Sequence, residues 1–431
     1  MKICVFGMWH LGTVTAACLA SVGHHVVGLD ADEKVIEGLQ IGQAPLFEPG
    51  LENAVKDGLN SGHLRFTSDV EDALEHAELV WIAFDTPVDE NDKADVDFVK
   101  GQVRGLFPYL AENTLVLISS QLPVKSTAEL EEAYRHFDPK KNVSFAYSPE
   151  NLRLGKALAV FTNPDRVIIG TRTEADQQKI RNLFAPITEH LEFMSVESAE
   201  MTKHALNAFL ATSVVFINEI AAICEQVGAD AKEIERGLKT EARIGPRAYL
   251  GPGGAFAGGT LARDVMFLQE IGSQYHLPTH LFQAVFSSND FHKLWAFRRL
   301  TELLDNPAMN TVALLGLTYK PGTDTLRRSN AIDLIHKFVN IGVSVRAHDP
   351  VVKALPDDLS NKIAIYDKAV DALTGADAVI IATEWPDYRE LTADHFTDFM
   401  NKPLVLDANR FLADILEHDS RIAYYTVGKS T

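Results

Sequence analysis

The chain has 431 residues, of which 40 are Lys or Arg and 59 are Asp or Glu, so its formal net charge is 40 − 59 = −19. The length predicts roughly three domains, and the acidic surface disfavours nonspecific binding to DNA. Taken alone, the same charge also argues against a polyanionic ligand such as a nucleotide.

Three cysteines, Cys4, Cys18 and Cys224, are too few for a disulfide framework and lack the spacing of metal ligands. We therefore expect reduced thiols and a cytoplasmic location. The apolar start of the chain is soon interrupted by Gly7 and is too short for a signal peptide. No run of about 18 apolar residues occurs, so we expect no membrane span.

The first thirty residues predict a dinucleotide-binding βαβ unit. The predicted elements are a strand over residues 2–6, a glycine turn at Gly7 and Gly12, a helix over 13–22 and a strand over 25–29. Asp30 follows, and a carboxylate there can accept both ribose hydroxyls of NAD while repelling the 2′-phosphate of NADP. Trp9 stands where the usual fingerprint has its second glycine. The turn alone therefore leaves a purely structural βαβ unit as an alternative.

Further buried strands are predicted at residues 79–84, 115–119, 143–147 and 167–170, with helical patterns between them. This alternation predicts an α/β fold with a largely parallel sheet. Asp85 and Thr86 follow one of these strands, and Gln121 follows another. They lie at the edge where open α/β sheets bind ligands, although ordinary strand-to-helix turns are the alternative for either segment alone.

Residues 198–227 have helical periodicity without Gly or Pro. A helix of that length spans roughly 45 Å at 1.5 Å per residue, so we expect it to bridge two domains or to pack against a partner subunit. Lys203, Asn207 and Asn218 share one stripe of this helix. Because burying such groups unpaired costs several kcal/mol, spacing alone favours an exposed polar stripe over a functional one.

A second α/β pattern follows a loop-rich stretch (245–260) and more helix through about residue 305. Its predicted elements are strands at 311–317, 343–348, 378–382 and 404–406 and a helix at 330–340. The predicted fold class is therefore α/β, with two Rossmann-like domains joined by a helical segment that contains a long central helix. The expected domains are 1–196, 197–305 and 306–431.

Ordered motifs along nearly the whole chain resemble the UDP-glucose/GDP-mannose dehydrogenase family. They are PLFEPGL (45–51), SPENLR (148–153), NPDRVIIG (163–170), KHALNAFLATSVVFINEIA (203–221), RIG (243–245), GLTYKPGTDTLR (316–327), HDP (348–350) and TEW (383–385). This family oxidises the C6 alcohol of a nucleotide sugar to a carboxylate with two NAD. The resemblance implies an NAD domain, a helical dimerisation segment, a C-terminal UDP-sugar domain and a homodimer or higher homo-oligomer.

The resemblance also assigns roles residue by residue. Glu150 resembles the family's acid/base glutamate, Lys203 its oxyanion-stabilising lysine, Asn207 the neighbour of that lysine, and Asp264 a carboxylate that positions water. The implied cofactor-binding residues are Gly7, Trp9, His10, Leu11, Gly12, Asp30, Asp85, Thr86, Gln121 and Arg327. The implied substrate-binding residues are Asn151, Leu152, Arg153, Tyr249, Phe256, Gly258, Lys320 and Arg243, the last reaching the substrate of the other subunit.

The family's nucleophilic cysteine, in a loop of the form GFGGSCFPKD, is missing. Aligning Phe256 and Asp264 without a gap puts Thr260 in its place, and a threonine hydroxyl is a far weaker acid than a thiol. We hypothesise that the first oxidation survives, using Lys203, Asn207 and an ordered water near Asp264. The second oxidation is then either lost or proceeds from the aldehyde hydrate.

Other departures lie in the same segments. The family's second loop glutamate is Leu154 here, and its late arginine position is Asn409, which leaves open whether the adjacent Arg410 serves instead. Trp9 and Thr260 favour an alternative from another class, a nucleotide-sugar-binding protein without catalytic activity. Cations near the family's site segments predict local positive pockets within the acidic shell. These cations are Lys203, Arg243, Arg263, Lys320, Arg327 and Arg410.

Overall fold

The computed structural model describes residues 1–89, 94–150 and 152–430. The chain divides into two compact units, Met1–Ala205 and a second unit that begins at Leu206. Each unit contains its own predominantly parallel sheet, and helices follow most strands. The predicted α/β fold class, with two Rossmann-like sheets, is confirmed.

The first unit is built on an eight-stranded sheet. Its strands are β1 (Lys2–Phe6), β2 (His25–Leu29), β3 (Leu64–Thr67), β4 (Leu79–Ile82), β5 (Leu115–Ile118), β6 (Ser144–Tyr147), β7 (Val167–Gly170) and β8 (Leu191–Met194). Their order is β3-β2-β1-β4-β5-β6-β7-β8, and every pair is parallel except β6 with β7. The central strands β4 and β5 are buried along their whole length, as continuous apolar runs predict for a sheet covered on both faces.

Among the described residues of the first unit, eight helices connect these strands. They are α1 (His10–Ser21), α2 (Glu33–Gln40), α3 (Leu51–Asn60), α4 (Val70–Leu74), α5 (Val96–Gly105), α6 (Ser126–Phe137), α7 (Ala157–Thr162) and α8 (Glu174–Phe184). Asp32, Asp69 and Asp95 are the N-cap residues of α2, α4 and α5, and each carboxylate accepts at least one backbone N–H of the first turn. Each such cap stabilises its helix by about 1 kcal/mol.

The predicted long helix is α9 (Val196–Val227), a 32-residue helix that begins in the first unit and continues into the second. It is followed by Gly228 at a φ of 77°. By length and composition this helix could cross a membrane, although polar residues interrupt its apolar sequence and the sequence alone predicts no span. However, 44% of its most apolar 18-residue window is buried inside the protein, and core helices of soluble proteins pass the same test.

The second unit continues with helices and a six-stranded parallel sheet. The helices before the sheet are α10 (Ala231–Thr240), α11 (Thr260–Gln274), α12 (His280–Lys293) and α13 (Trp295–Leu303). The strands are β9 (Thr311–Leu315), β10 (Ser344–His348), β11 (Ala364–Tyr366), β12 (Ala378–Ile381), β13 (Leu404–Leu406) and β14 (Ala423–Tyr425), in the order β11-β10-β9-β12-β13-β14. The remaining helices are α14 (Asn330–Asn340), α15 (Asp357–Ser360), α16 (Ala369–Leu373), α17 (Ala393–Phe399) and α18 (Ala413–Leu416).

Candidate active site

The turn between β1 and α1 brings backbone segments into close contact. A Cβ atom added to Gly12 would lie 1.8 Å from the carbonyl oxygen of Gly7, and Gly7 itself has a φ of 98°. Helix α1 begins at His10, three residues earlier than the sequence predicts. Trp9 is its N-cap residue, with a half-exposed side chain that makes no capping hydrogen bond. The first N–H groups of α1 thus lack a side-chain cap, as a phosphate-binding turn requires.

Asp30 is placed at the end of β2 beside this turn. Its Oδ2 accepts the N–H of Met8 at 2.6 Å, and its Oδ1 accepts the N–H of Asp32 at 3.0 Å. A carboxylate has about four acceptor positions, so the two remaining ones suit ribose hydroxyls. The side chain of Leu11 packs in the core, so only its backbone can contact a cofactor. The geometry of the turn and the acceptors of Asp30 fit NAD.

The two predicted strand-end segments meet. Thr86 donates its hydroxyl to the carbonyl oxygen of Gln121 at 2.7 Å, which joins the residues after β4 to those after β5. The exposed Asp85 precedes Thr86 in the same segment. The carboxyl edge of the first sheet therefore collects these candidate cofactor contacts.

Glu150 and Lys203 come together in the first unit. The Nζ of Lys203 lies 3.8 Å from Oε2 of Glu150 and donates a hydrogen bond to the backbone carbonyl of the same residue. The side chains of the polar stripe on α9 are only 8% (Lys203), 6% (Asn207) and 3% (Asn218) exposed. The expectation of an exposed polar stripe is therefore wrong, because these three residues are buried and each side chain has a hydrogen-bond partner.

Asn207 and Asp264 form a second buried pair, within the second unit. The amide of Asn207 donates to the carboxylate of Asp264, which is completely buried on α11. Thr260 lies one turn earlier, as the first residue of α11 after Gly259, whose φ is 91°. A helix N-terminus lowers the pKa of a thiol. The first position of α11 would therefore suit a cysteine thiolate, but the residue there is Thr260, which has a hydroxyl.

A loop before α11, residues 253–256, is held through its backbone by four side chains. Asn218 accepts the N–H of Gly253 at 3.1 Å and donates to the carbonyl of Gly254 at 3.3 Å. Asn289 accepts the N–H of Phe256 at 3.0 Å and donates to the carbonyl of the same residue at 2.8 Å. Nε2 of His292 donates to the carbonyl of Gly253 at 2.7 Å. Asn409 accepts the N–H of Gly254 at 2.6 Å. Burial lowers the pKa of His292, so its ring is neutral and Nε2 carries the proton.

A cavity of about 420 Å³ opens beside this loop in the second unit, a size typical of ligand pockets. It brings together four of the predicted site residues, Phe256, Gly258, Thr260 and Lys320. The cavity is polar on the side of Thr383 and Glu384, which follow β12. The carboxyl edge of the second sheet thus contributes directly to the candidate substrate pocket.

Other predicted residues lie away from this cavity. Arg243 is exposed, with its Nε 2.9 Å from Oε1 of Glu241, and Tyr249 is also exposed. Arg327 is exposed as well, and none of these residues lines the cavity. In the first unit Arg153 is exposed and Leu152 half-buried, whereas Asn151 lies outside the described residues.

Several residues near the cavity were not predicted. Asn289 and His292 stand three apart on α12, where the sequence carries only a helical pattern. Arg328, rather than the predicted Arg327, approaches the start of α11: a Cβ on Gly259 would lie 3.3 Å from its Nη1. A half-buried guanidinium is thus adjacent to the residue that precedes Thr260.

Arg410 does not occupy the cavity. Its Nη2 lies 2.9 Å from Oδ1 of Asp230, and its Nε donates to the hydroxyl of Thr426 at 3.2 Å. Asn409 does line the cavity, next to Glu384. Burial raises the pKa of Glu384, although a hydrogen bond from Asn409 opposes this. The position that the resemblance assigns to an arginine thus carries an amide here, and Arg410 pairs with Asp230 instead of lining the cavity.

The three cysteines cannot supply the missing nucleophile. All are buried and unpaired. Burial raises the pKa of Cys4 and of Cys18 to about 12, and burial together with nearby carboxylates raises that of Cys224. Because the thiolate is the reactive form, these residues behave as core hydrophobes.

Comparison with known proteins covers each part of the chain. Models of the UDP-glucose/GDP-mannose dehydrogenase family match its NAD binding domain at residues 1–188, its central domain at 197–291 and its UDP binding domain at 313–414. UDP-glucose 6-dehydrogenase of Pseudomonas aeruginosa is 33% identical to this chain, and the match covers 100% of this chain and 98% of that protein. UDP-glucose 6-dehydrogenase of Rhizobium meliloti is 32% identical, and the match covers 100% of both proteins.

Solved structures agree. A UDP-glucose dehydrogenase from Pyrobaculum islandicum superimposes with a TM-score of 0.85 at 27% identity, covering 100% of this chain and 98% of its own. A UDP-D-ManNAc dehydrogenase from Pyrococcus horikoshii gives the same TM-score at 25% identity, with 100% and 99% covered.

The chain belongs to the UDP-glucose/GDP-mannose dehydrogenase family. It is accordingly an oxidoreductase with NAD as its cofactor. The expectation from net charge, that a polyanionic ligand is disfavoured, is wrong, because charge over the whole surface does not describe the local field of a pocket.

Proposed function

We propose that this protein oxidises the C6 alcohol of a UDP-sugar with NAD, and that Thr260 removes the covalent route to a second oxidation. The observation that carries the proposal is the placement of Thr260 at the start of α11, lining the cavity one turn before the Asn207–Asp264 pair. The UDP binding domain match supports a UDP-sugar. UDP-glucose is the first candidate, with N-acetylated UDP-sugars and GDP-mannose as competitors.

The buried cation on α9 is suited to the first oxidation. Bound NAD would supply the hydride acceptor for C6, and loss of the hydroxyl proton would leave negative charge developing on the C6 oxygen. Lys203 supplies positive charge in a desolvated setting, where it is strongest. Asn207 stands one turn later on the same helix, and Glu150 beside the ammonium can exchange a proton.

The second oxidation has lost its usual intermediate. A thiohemiacetal requires a thiol at the start of α11, and all three cysteines are buried elsewhere. Addition of water to the aldehyde gives a hydrate, and transfer of its hydride to a second NAD would yield the carboxylate, NADH and two protons. Asp264 is the carboxylate that the resemblance assigns to positioning such a water, but without covalent capture we expect this step to be slow.

A panel of nucleotide sugars tests the proposal. Each sugar is incubated with NAD, NADH is followed at its absorbance maximum, and products are identified by mass spectrometry. We expect an aldehyde or its hydrate from a UDP-sugar. Thr260→Cys should gain carboxylate product, with Thr260→Ser as the matched control that restores no thiol. A cysteine variant without any gain would contradict this placement of the nucleophile.

Thr260 favours a second candidate function, nucleotide-sugar binding without catalysis in an assembly with an active relative. Titration calorimetry separates the two candidates. We expect NAD and a UDP-sugar both to bind. Binding of the sugar without NAD would support the non-catalytic function.

The three predicted parts, 1–196, 197–305 and 306–431, are proposed to act as NAD-binding, dimerisation and UDP-sugar-binding domains in a cytoplasmic homodimer. Large apolar side chains on α9 support a subunit contact, since Phe209, Phe216, Ile223 and Val227 are 67%, 46%, 58% and 69% exposed. The buried, unpaired cysteines are consistent with a reducing compartment. Light scattering measures the assembly, and a monomeric mass at micromolar concentration would refute the dimer.

A further inference from the structure

Glu48 is a buried carboxylate whose side chain contacts two separate segments of the first unit. It is 3% exposed and lies between α2 and α3. Its Oε2 lies 3.0 Å from Nε2 of His10 and accepts the N–H of Gly155 at 2.8 Å, while its Oε1 accepts the N–H of Ala157 at 2.9 Å. Burying a carboxylate without hydrogen-bond partners would be strongly unfavourable. These three hydrogen bonds therefore stabilise Glu48 in its buried position.

The carboxylate is ionised in this setting. Burial opposes its charge, but hydrogen bonds from the Gly155 N–H, the His10 ring and the Ala157 N–H outweigh burial and hold the pKa of Glu48 below its usual value. An ionised carboxylate only accepts hydrogen bonds. Nε2 of His10 therefore carries a proton and donates it to Glu48 in a charge-assisted hydrogen bond.

The partners of Glu48 belong to two functional segments. His10 is the first residue of α1, inside the cofactor turn between Trp9 and Gly12. Gly155 precedes α7 and Ala157 begins it, a few residues after Glu150. One side chain is thus hydrogen-bonded both to the NAD-binding turn and to the chain that leads away from the proposed acid/base residue.

We propose that Glu48 is a positioning residue that couples the cofactor turn to residues 152–157, so that NAD bound at the turn stabilises this segment. By linkage, order in the segment strengthens NAD binding by the same factor. The proposal rests on the proposed function only in the role given to Glu150. The coupling itself is a property of the first unit that can be measured without turnover.

Amide hydrogen exchange tests the coupling directly. In the wild-type protein we expect saturating NAD to slow exchange of the peptide that contains the amides of Gly155 and Ala157. In His10→Phe both backbone bonds to Glu48 remain possible, but the link to the turn is gone, so this NAD-dependent protection should disappear. In His10→Gln the side-chain amide can donate in place of the ring, so protection should return. His76→Phe, at an exposed histidine of the same unit, is the matched control.

Affinity provides the second measurement. A charge-assisted hydrogen bond contributes about 1.5–3 kcal/mol, so the Kd for NAD should rise about 10- to 100-fold in Glu48→Gln and in His10→Phe. Glu48→Gln and His10→Phe both break the same His10–Glu48 interaction. The Kd for NAD of the double variant should therefore be about equal to the higher of the two single-variant Kd values.

Two results would overturn the proposal. One is NAD-dependent protection that persists in His10→Phe, which would mean that Glu48 serves only to cap α7. The other is additive losses in the double variant. If the sugar panel shows no oxidation while NAD still protects the segment, the proposed function fails and the coupling stands.

Discussion

Replacing Asn289 by alanine should weaken sugar binding without touching the cavity wall. Asn289 is 2% exposed, and its amide pairs with both the N–H and the carbonyl of Phe256, at 3.0 and 2.8 Å. Each backbone group left unpaired costs about 1–3 kcal/mol. Water in the adjacent cavity can reach Phe256, so we expect the lower end of the range, about 2 kcal/mol for the pair. If binding requires the ordered loop, this corresponds to a Kd about 30-fold higher.

Titration calorimetry with UDP-glucose, or with the sugar that the panel identifies, measures this change. Differential scanning calorimetry on the free protein separates weaker binding from global unfolding. Asn340→Ala, at the exposed end of α14, is the control and should bind as the wild type does. Unchanged affinity in Asn289→Ala would refute the argument that these hydrogen bonds hold the loop in its binding position.

Three further outcomes follow from the structure. Gly12→Ala places a methyl group 1.8 Å from the Gly7 carbonyl oxygen, so α1 must shift. Thermal denaturation should then show a loss of about 1–3 kcal/mol of stability, and titration calorimetry should show weaker NAD binding. Wild-type stability and NAD affinity in this variant would exclude this turn geometry. Because the folded-state pKa of His292 is lowered, the unfolded chain binds more protons at acidic pH, and the free energy of unfolding should fall as pH drops below about 6.5. Urea denaturation of His292→Gln, which keeps a hydrogen-bond donor, should show a weaker dependence of the free energy of unfolding on pH. The same pH dependence in this variant as in the wild type would contradict this. Arg410→Ala removes the guanidinium that pairs with Asp230 and should lower stability by about 1–2 kcal/mol, while affinity for the sugar stays within about twofold. A large loss of sugar affinity would instead place Arg410 in the binding site.

The strands that the sequence analysis missed are the four edge strands. β3 and β8 close the first sheet, and β11 and β14 close the second. Each has three or four residues with at least one exposed or half-buried side chain, so none forms the continuous apolar run that identifies a central strand. The antiparallel pairing of β6 with β7 likewise has no local signature, because it depends on how the chain returns to the sheet.

The candidate residues of the first unit and those of the second unit differ in how far the sequence predicts them. The cofactor turn and the residues after β4 and β5 follow from local sequence, since parallel strands present their carboxyl ends at one edge. The hydrogen bonds that hold the loop at residues 253–256 come from positions as distant as Asn218 and Asn409. Asparagine is common in loops and helix ends, and only tertiary structure distinguishes these from other asparagines. The same holds for Glu48, whose partners lie up to 109 residues away in the chain.

The stoichiometry of NADH per sugar tests the central claim most directly. A limiting amount of the UDP-sugar is oxidised to completion in excess NAD, and NADH is counted against the product identified by mass spectrometry. We predict about one NADH per sugar with an aldehyde or hydrate product for the wild type, and a value approaching two with carboxylate for Thr260→Cys. About two NADH per sugar with a carboxylate product from the wild-type protein would contradict the claim that Thr260 removes the route to the second oxidation.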